Sequence, residues 1–270
     1  MTDLQAQLVA YINRLRAENG VPPVHYANTG YSKRRAEYML RNKVFSHYDL
    51  NGLPPHFNFT VLDQYFYMEE SLGYSRSGRP ISGPEVLEQA KRLIYDMVYN
   101  DAKSNWGHRD SILDPCFNYA DVWVANDEHN LYLVIAMVNA RVDWLKKPVY
   151  LNGHVEFEAR VFGGVRPRSV FVYKDVPDVS RLSRTSYSIG EPYAGVVPWP
   201  YFYRDVRTIR PERWVLTDSY ISVKFPLVVE EKGLYTVIVH ADDMRGIKWE
   251  PYNKGRLGRC GLIMYSLFFH

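Results

Sequence analysis

Two histidines, His47 and His108, and three carboxylates, Glu69, Glu70 and Asp96, lie at the edges of otherwise apolar segments. Neutral imidazoles with carboxylates are plausible Zn²⁺ ligands, and three protein ligands plus a water make a catalytic arrangement. Without metal, the same groups act as general acid and base. The bland alternative is a hydrogen-bonded polar cluster that fixes the fold. His108 belongs to Ser104-Asn105-Trp106-Gly107-His108-Arg109-Asp110-Ser111-Ile112-Leu113. Gly107 is expected to supply the unusual backbone angles that turn the chain sharply there. In extended chain Glu69 and Glu70 face opposite ways, and the residues alone do not choose between them. Asp96 borders a buried helix face and needs a partner, unless it is a solvated or capping acid; Asp101 is a nearby alternative. His56 lies in a polar loop and matches no pattern. Other chemistries are missing: there is no Gly-x-Ser-x-Gly, no phosphate loop and no His-Glu-x-x-His. Ser46 beside His47 is no triad, because sequence neighbours do not set nucleophile geometry.

The elements that must position these groups follow from periodicity. Leu4, Leu8, Ile12 and Leu15 recur at helical spacing, and Gly20 with Pro22-Pro23 ends that helix. A second helix is predicted over 31–41, with Lys33, Arg34 and Arg35 on a solvated face. Residues 44–60 read as irregular, with Asn51-Gly52 and Pro54-Pro55 as turn formers, and 57–64 as a strand-like or loop approach to the two glutamates. Ser82-Gly83-Pro84-Glu85 reads as a capping box that starts a helix running to about Val98. After Asp110–Leu113, one helical turn stopped by Pro115, residues 119–125 and 131–138 read as strands, the latter apolar enough to be buried on both faces.

Helical periodicity stops at Asp143-Trp144-Leu145-Lys146-Lys147-Pro148. Six or seven short alternating runs follow, separated by turn signals such as Asn152-Gly153 and Gly163-Gly164, as in an antiparallel Ig-like sandwich. Here Arg204, Arg207, Arg210 and Arg213 recur every third residue after Pro198-Trp199-Pro200-Tyr201-Phe202-Tyr203. They are either a basic, aromatic stripe for an anionic glycan or membrane surface, or solvated arginines beside aromatics packed between domains. With 270 residues, 46% hydrophobic and 23% charged, the chain can bury one large core or two modest ones. A net charge of +3 is too small to imply nucleic acid. The longest apolar run, 131–138, is far short of a membrane helix. Cys116 and Cys260 are the only cysteines; they either bridge the two halves or stay as buried thiols.

Five stretches in order resemble the CAP superfamily (cysteine-rich secretory proteins, antigen 5, pathogenesis-related 1), in particular its prokaryotic, archaeal-like branch. They are Ala36-Glu37-Tyr38-Met39-Leu40, Ser46-His47, Glu70-Ser71-Leu72-Gly73, the helix carrying Asp96, and Gly107-His108-Arg109-Asp110-Ser111-Ile112-Leu113, within residues 4–145. The resemblance implies an α-β-α sandwich CAP domain over 1–145; with the alternating runs beyond it read as an all-β, Ig-like sandwich domain over 146–270, the chain is expected to be α+β. It selects Glu70 over Glu69 and groups His47, Glu70, Asp96 and His108 as a cleft tetrad able to hold a divalent metal, with Zn²⁺ the expected ion. Ser71 and Arg35 depart from the family pattern without touching the expected site; Asp96 stands where eukaryotic members carry Glu. The implied function is an exported or cell-surface binding module for a lipid, a glycan or a surface protein, although no signal peptide is visible before the first helix. The alternative is a metal-assisted, endopeptidase-like hydrolase using the same four residues.

Overall fold

The computed structural model describes residues 3–270. Its first part comprises α1 (Asp3–Glu18), β1 (His25–Tyr26), α2 (Tyr31–Asn42), α3 (Pro55–Thr60), β2 (Tyr67–Arg76), α4 (Gly83–Tyr99), a 3₁₀ turn (Asp101–Ser104), α5 (Gly107–Leu113), β3 (Tyr119–Asn126) and β4 (Asn130–Asn139). The strands form one sheet in the order β1-β3-β4-β2. Interior β4 is buried throughout except at its first residue, and its side chains alternate between two cores. Leu131, Leu133, Ile135 and Met137 join α1, α4 and α5, while Tyr132, Val134, Ala136 and Val138 join Tyr31, Ala36 and Met39 of α2 and Phe59 of α3. This is an α-β-α layering.

The capping box forms as expected: Ser82 accepts the backbone of Glu85, and Glu85 reaches back to Ser82. One expectation fails at 55–60, where the chain is helical rather than strand-like. Pro55 sits in the first turn, where its missing N–H costs nothing, so the prolines start a helix. A second failure concerns Gly107. The left-handed residues are Asn105 (φ 53°) and Trp106 (φ 62°), while Gly107 is simply the first residue of α5. Trp106 is held in that conformation by stacking on Tyr252, with ring centroids 4.2 Å apart and planes 7° from parallel.

From Val142 the regular structure is strand apart from two 3₁₀ turns (Val179–Ser183 and Lys254–Arg256): β5 (Val142–Leu151), β6 (His154–Val161), β7 (Val165–Asp175), β8 (Glu191–Val196), β9 (Arg207–Ile209), β10 (Arg213–Leu216), β11 (Tyr220–Pro226), β12 (Gly233–Asp243) and β13 (Arg259–Phe269). They make sheets ordered β10-β11-β6-β5 and β13-β12-β7-β8-β9. One apolar cluster draws Val155, Phe157 and Ala159 from the first and Val170, Val172, Val237 and Val239 from the second. The five-stranded sheet also uses its outer face, because Ile238 and Met264 join Phe59 and Met68 in the helical part's second core. The β-rich sheets therefore begin at Val142, and the two halves share a core.

Hydrogen bonds reinforce this junction. Met264 donates to the Tyr65 carbonyl at 3.0 Å, and the Asn139 amide donates to Gly261 O at 2.6 Å. Cys116 and Cys260 form a disulfide across it. Gly261 is required by close approach: a Cβ there would lie 2.1 Å from the Tyr67 ring. Gly261→Ala is expected to cost about 1–3 kcal/mol, as overpacking does. Chemical denaturation checks this, and Tyr67→Ala in the same chain should recover part of the loss; an unchanged midpoint for Gly261→Ala would show that Tyr67 does not lie there.

Candidate functional site

α2 ends at Asn42, and the next turn carries His47 into the protein, where its Nδ1 lies 2.9 Å from Glu70 Oε1. Glu70 projects from β2, an edge strand, and Oε2 of its carboxylate accepts the Tyr31 phenol at 2.5 Å and Arg35 Nε at 3.3 Å. Arg35 also donates to the carbonyls of Ser46 and Tyr48, on either side of His47. Burial opposes the charge on Glu70, but Arg35, His47 and Tyr31 together hold its carboxyl below the usual range. Arg35 is therefore buried as the counter-ion of the site. This corrects two expectations, that it is solvated and that it stands clear of the site. Lys33 and Arg34 do remain exposed.

His108, in the first turn of α5, places Nδ1 2.8 Å from Asp101 Oδ1. The other oxygen of Asp101 accepts the backbone N–H groups of His108 and Arg109 at 2.9 and 3.1 Å. Burial raises its pKa, but the bonds from His108, Ser104 and the Arg109 backbone outweigh that and bring it below the usual range. Asp96 is not brought to His108. It stays on α4, where Oδ1 accepts the Asn100 amide at 2.7 Å. The physical reason is the helix end: α4 stops at Tyr99, and the 3₁₀ turn that follows folds Asp101 back over α5.

His47 and His108 thus line one cleft, each with a carboxylate on Nδ1. The cleft has two lobes, of about 250 and 300 Å³, and both are lined by His47, His108, Ser104 and Thr185. Its roof comes from the β-rich half. Tyr187, in the segment between β7 and β8, accepts the backbone N–H of Glu70 at 2.9 Å and sets its ring 4.8 Å from His47. That segment docks at Gly52, whose missing Cβ leaves room for the Asp178 backbone. From the segment between β12 and β13, Arg256 pairs with Glu69 at 2.8 Å, and Asp110 accepts the N–H groups of Tyr252 and Asn253. Burial and neighbouring Glu69 push Asp114, also beside Arg256, up to about 7. Tyr187, Tyr252 and Arg256 carry no local sequence signal, because their partners lie more than a hundred residues away.

Among the described residues, no three ligating atoms of His47, Glu70, Asp96, Asp101 and His108 gather within 4.8 Å of one another. Cys116, Asp243 and Cys260 do, but both sulfurs are committed to the disulfide. The arginine stripe is largely spent: Arg207 pairs with Glu230, Arg213 with Glu156 and Glu158, and Arg210 donates to the Val197 carbonyl while lying 4.0 Å over the Trp199 ring. Trp199 and Tyr201 are 76% and 67% exposed, so neither packs between the halves.

No family model and no curated protein matches the chain. Among solved structures it is similar to an outer surface protein from Borrelia burgdorferi, at 15% identity and TM-score 0.41, over 51% of this chain and 93% of that one. It is also similar to the CAP domain of Enterococcal PrgA, at 13% identity and TM-score 0.38, over 49% of this chain and 59% of that one. Neither overlap is close enough to assign the chain to a family. No helix among the described residues is long and apolar enough to cross a membrane.

Proposed function

We propose that the chain is a CAP-like binding module displayed outside the cell, whose roofed cleft holds a divalent metal, Zn²⁺ by preference, through Nε2 of His47 and Nε2 of His108. The observation that carries this reading is the repeated carboxylate–imidazole pair. Glu70 and Asp101 each engage Nδ1, which orients the ring and leaves Nε2 for the cleft. The donor set fits a two-imidazole site whose other positions belong to water or a ligand, and the carboxylates act as orienters rather than ligands. When bound, the ion supplies Lewis acidity and a fixed positive charge. The chain's own residues orient the imidazoles, and the 182–187 segment lines the cleft beside them. A roof over both histidines favours binding over turnover, since a hydrolase needs an open groove beside His108. The disulfide supports an oxidising, extracellular setting.

Calorimetry with Zn²⁺ tests the reading. Wild type should bind, His47→Ala and His108→Ala should not, and affinity should weaken as pH falls through about 6.5, where free imidazoles charge. Asp101→Asn is expected to weaken binding about 10–100-fold, the usual effect of losing an orienting carboxylate, while Asp96→Asn leaves it unchanged. Equal binding by wild type and both histidine variants would reduce the cluster to a fold-stabilising one.

A further inference from the structure

His56 is the one histidine of the cleft with no assigned task. It sits on α3, 1% exposed, and lines the same lobe as Glu70 and Tyr187. Neither of its ring nitrogens has a hydrogen-bond partner within the protein. Burial, opposed in part by Asp175, lowers its pKa to about 4, so the ring is neutral near pH 7 and offers one donor and one acceptor. Ser111, from α5, lines the same lobe, and its buried hydroxyl is also without a partner. Unsatisfied buried polar groups are rare, and two on one cavity wall point to something that satisfies them.

The chemistry of the lobe narrows what that is. Its charged groups are already neutralised, Glu69 by Arg256 and Glu70 by Arg35, so a charged ligand finds no free counter-ion. The groups left over are neutral and of both senses. Around them stand Tyr67, Tyr187, Met68 and Met264, which give flat aromatic and soft apolar surface. We propose that this lobe, with His56 and Ser111 as its recognition residues, binds an uncharged polyhydroxylated ligand: a sugar ring, alone or at the end of a glycan. Each sugar hydroxyl both donates and accepts, as the orphaned imidazole and hydroxyl require, and the C–H face of a pyranose lies against an aromatic ring. About 250 Å³ is at the small end of ligand pockets and suits one ring better than a chain. The proposal rests on the binding reading above but not on the metal.

The test is titration of the whole chain, followed by ligand-observed NMR and calorimetry. The probes are the methyl glycosides of glucose, galactose, mannose and N-acetylglucosamine, together with glucosamine and glucuronic acid as charged counterparts. At least one neutral glycoside should bind and both charged sugars bind more weakly. His56→Phe should lose about tenfold in affinity, the effect of one hydrogen bond, and Ser111→Ala should weaken binding in the same direction. Because His56→Phe removes orphaned polar atoms and keeps a flat ring, its melting temperature should not fall, which separates recognition from folding. Disaccharides distinguish the source: tighter binding than the monosaccharide marks a glycan end, equal binding a free sugar. No neutral glycoside binding, preference for the charged sugars, or unchanged affinity in His56→Phe each overturns the proposal. The Zn²⁺ titrations of His47→Ala and His108→Ala stay independent of all three outcomes.

Discussion

Opening the Cys116–Cys260 bridge, by reduction or by replacing both cysteines with serine, is expected to destabilise the protein by about 5 kcal/mol. The bridge closes a loop of 144 residues, and chain-entropy loss in the unfolded state at that length gives this magnitude. The bridge also anchors the start of β13 to the segment just after α5. The loop entering β13 carries Tyr252 under Trp106 and Arg256 to Glu69, so its loss should loosen the wall behind His108 as well. Denaturant titrations under oxidising and reducing conditions measure the first effect. Hydrogen exchange over 250–258 and α5 measures the second. Equal midpoints in the two conditions would mean that the shared core alone sets the stability.

Arg35→Met is expected to cost about 3–5 kcal/mol at neutral pH, the range for removing one partner of a buried ion pair. Both side chains are almost wholly buried, so Glu70 would be left charged against only Tyr31 and His47. The pH dependence identifies the cause. In wild type the folded pKa of Glu70 lies below its unfolded value, so its contribution is present above the ordinary carboxylate range and is lost as pH falls through the folded pKa. Without Arg35, burial dominates and the folded pKa rises above the unfolded one. The variant's deficit should therefore shrink as pH falls and Glu70 takes up a proton. Arg35→Met with Glu70→Gln should recover part of the loss, because no buried charge then lacks a partner. Stability curves from pH 7 to 4 check this; a deficit independent of pH would show that Arg35 acts through packing alone. His47 should lose its fixed orientation along with stability, since Arg35 also ties down the carbonyls on either side of it.

Local order is readable from the amino acids because it depends on near neighbours. The spacing of Leu8, Ile12 and Leu15, the capping box at Ser82, the apolar run 131–138 and the hairpin signals after Asn152 each act over a few residues, and each becomes the element it announces. The Ser46-His47 and Gly107-His108 motifs also mark the two imidazoles that meet at one cleft. Pairing across the fold is not readable, because charge and burial at one position are set by residues far along the chain. Arg35 stands in a basic run like any solvated one, and only the return of β2 beneath α2 makes it the counter-ion of Glu70. Asp96 and Asp101 are both acids near a helix end; which one reaches His108 depends on where α4 stops and how the 3₁₀ turn folds back. His56 has the surroundings of a polar loop residue in the sequence, and it is buried only because the outer face of the five-stranded sheet closes over α3. Tyr187, Tyr252 and Arg256 come to the cleft only because the β-rich half shares a core with the helical half, and no local pattern records that docking. Neighbouring residues thus suffice for most of the elements, though not for α3 or the turn before α5, and their motifs mark the two imidazoles. Which charges pair, which nitrogens are left open and what roofs them follow from the folded chain alone, because each depends on contacts between residues distant in sequence.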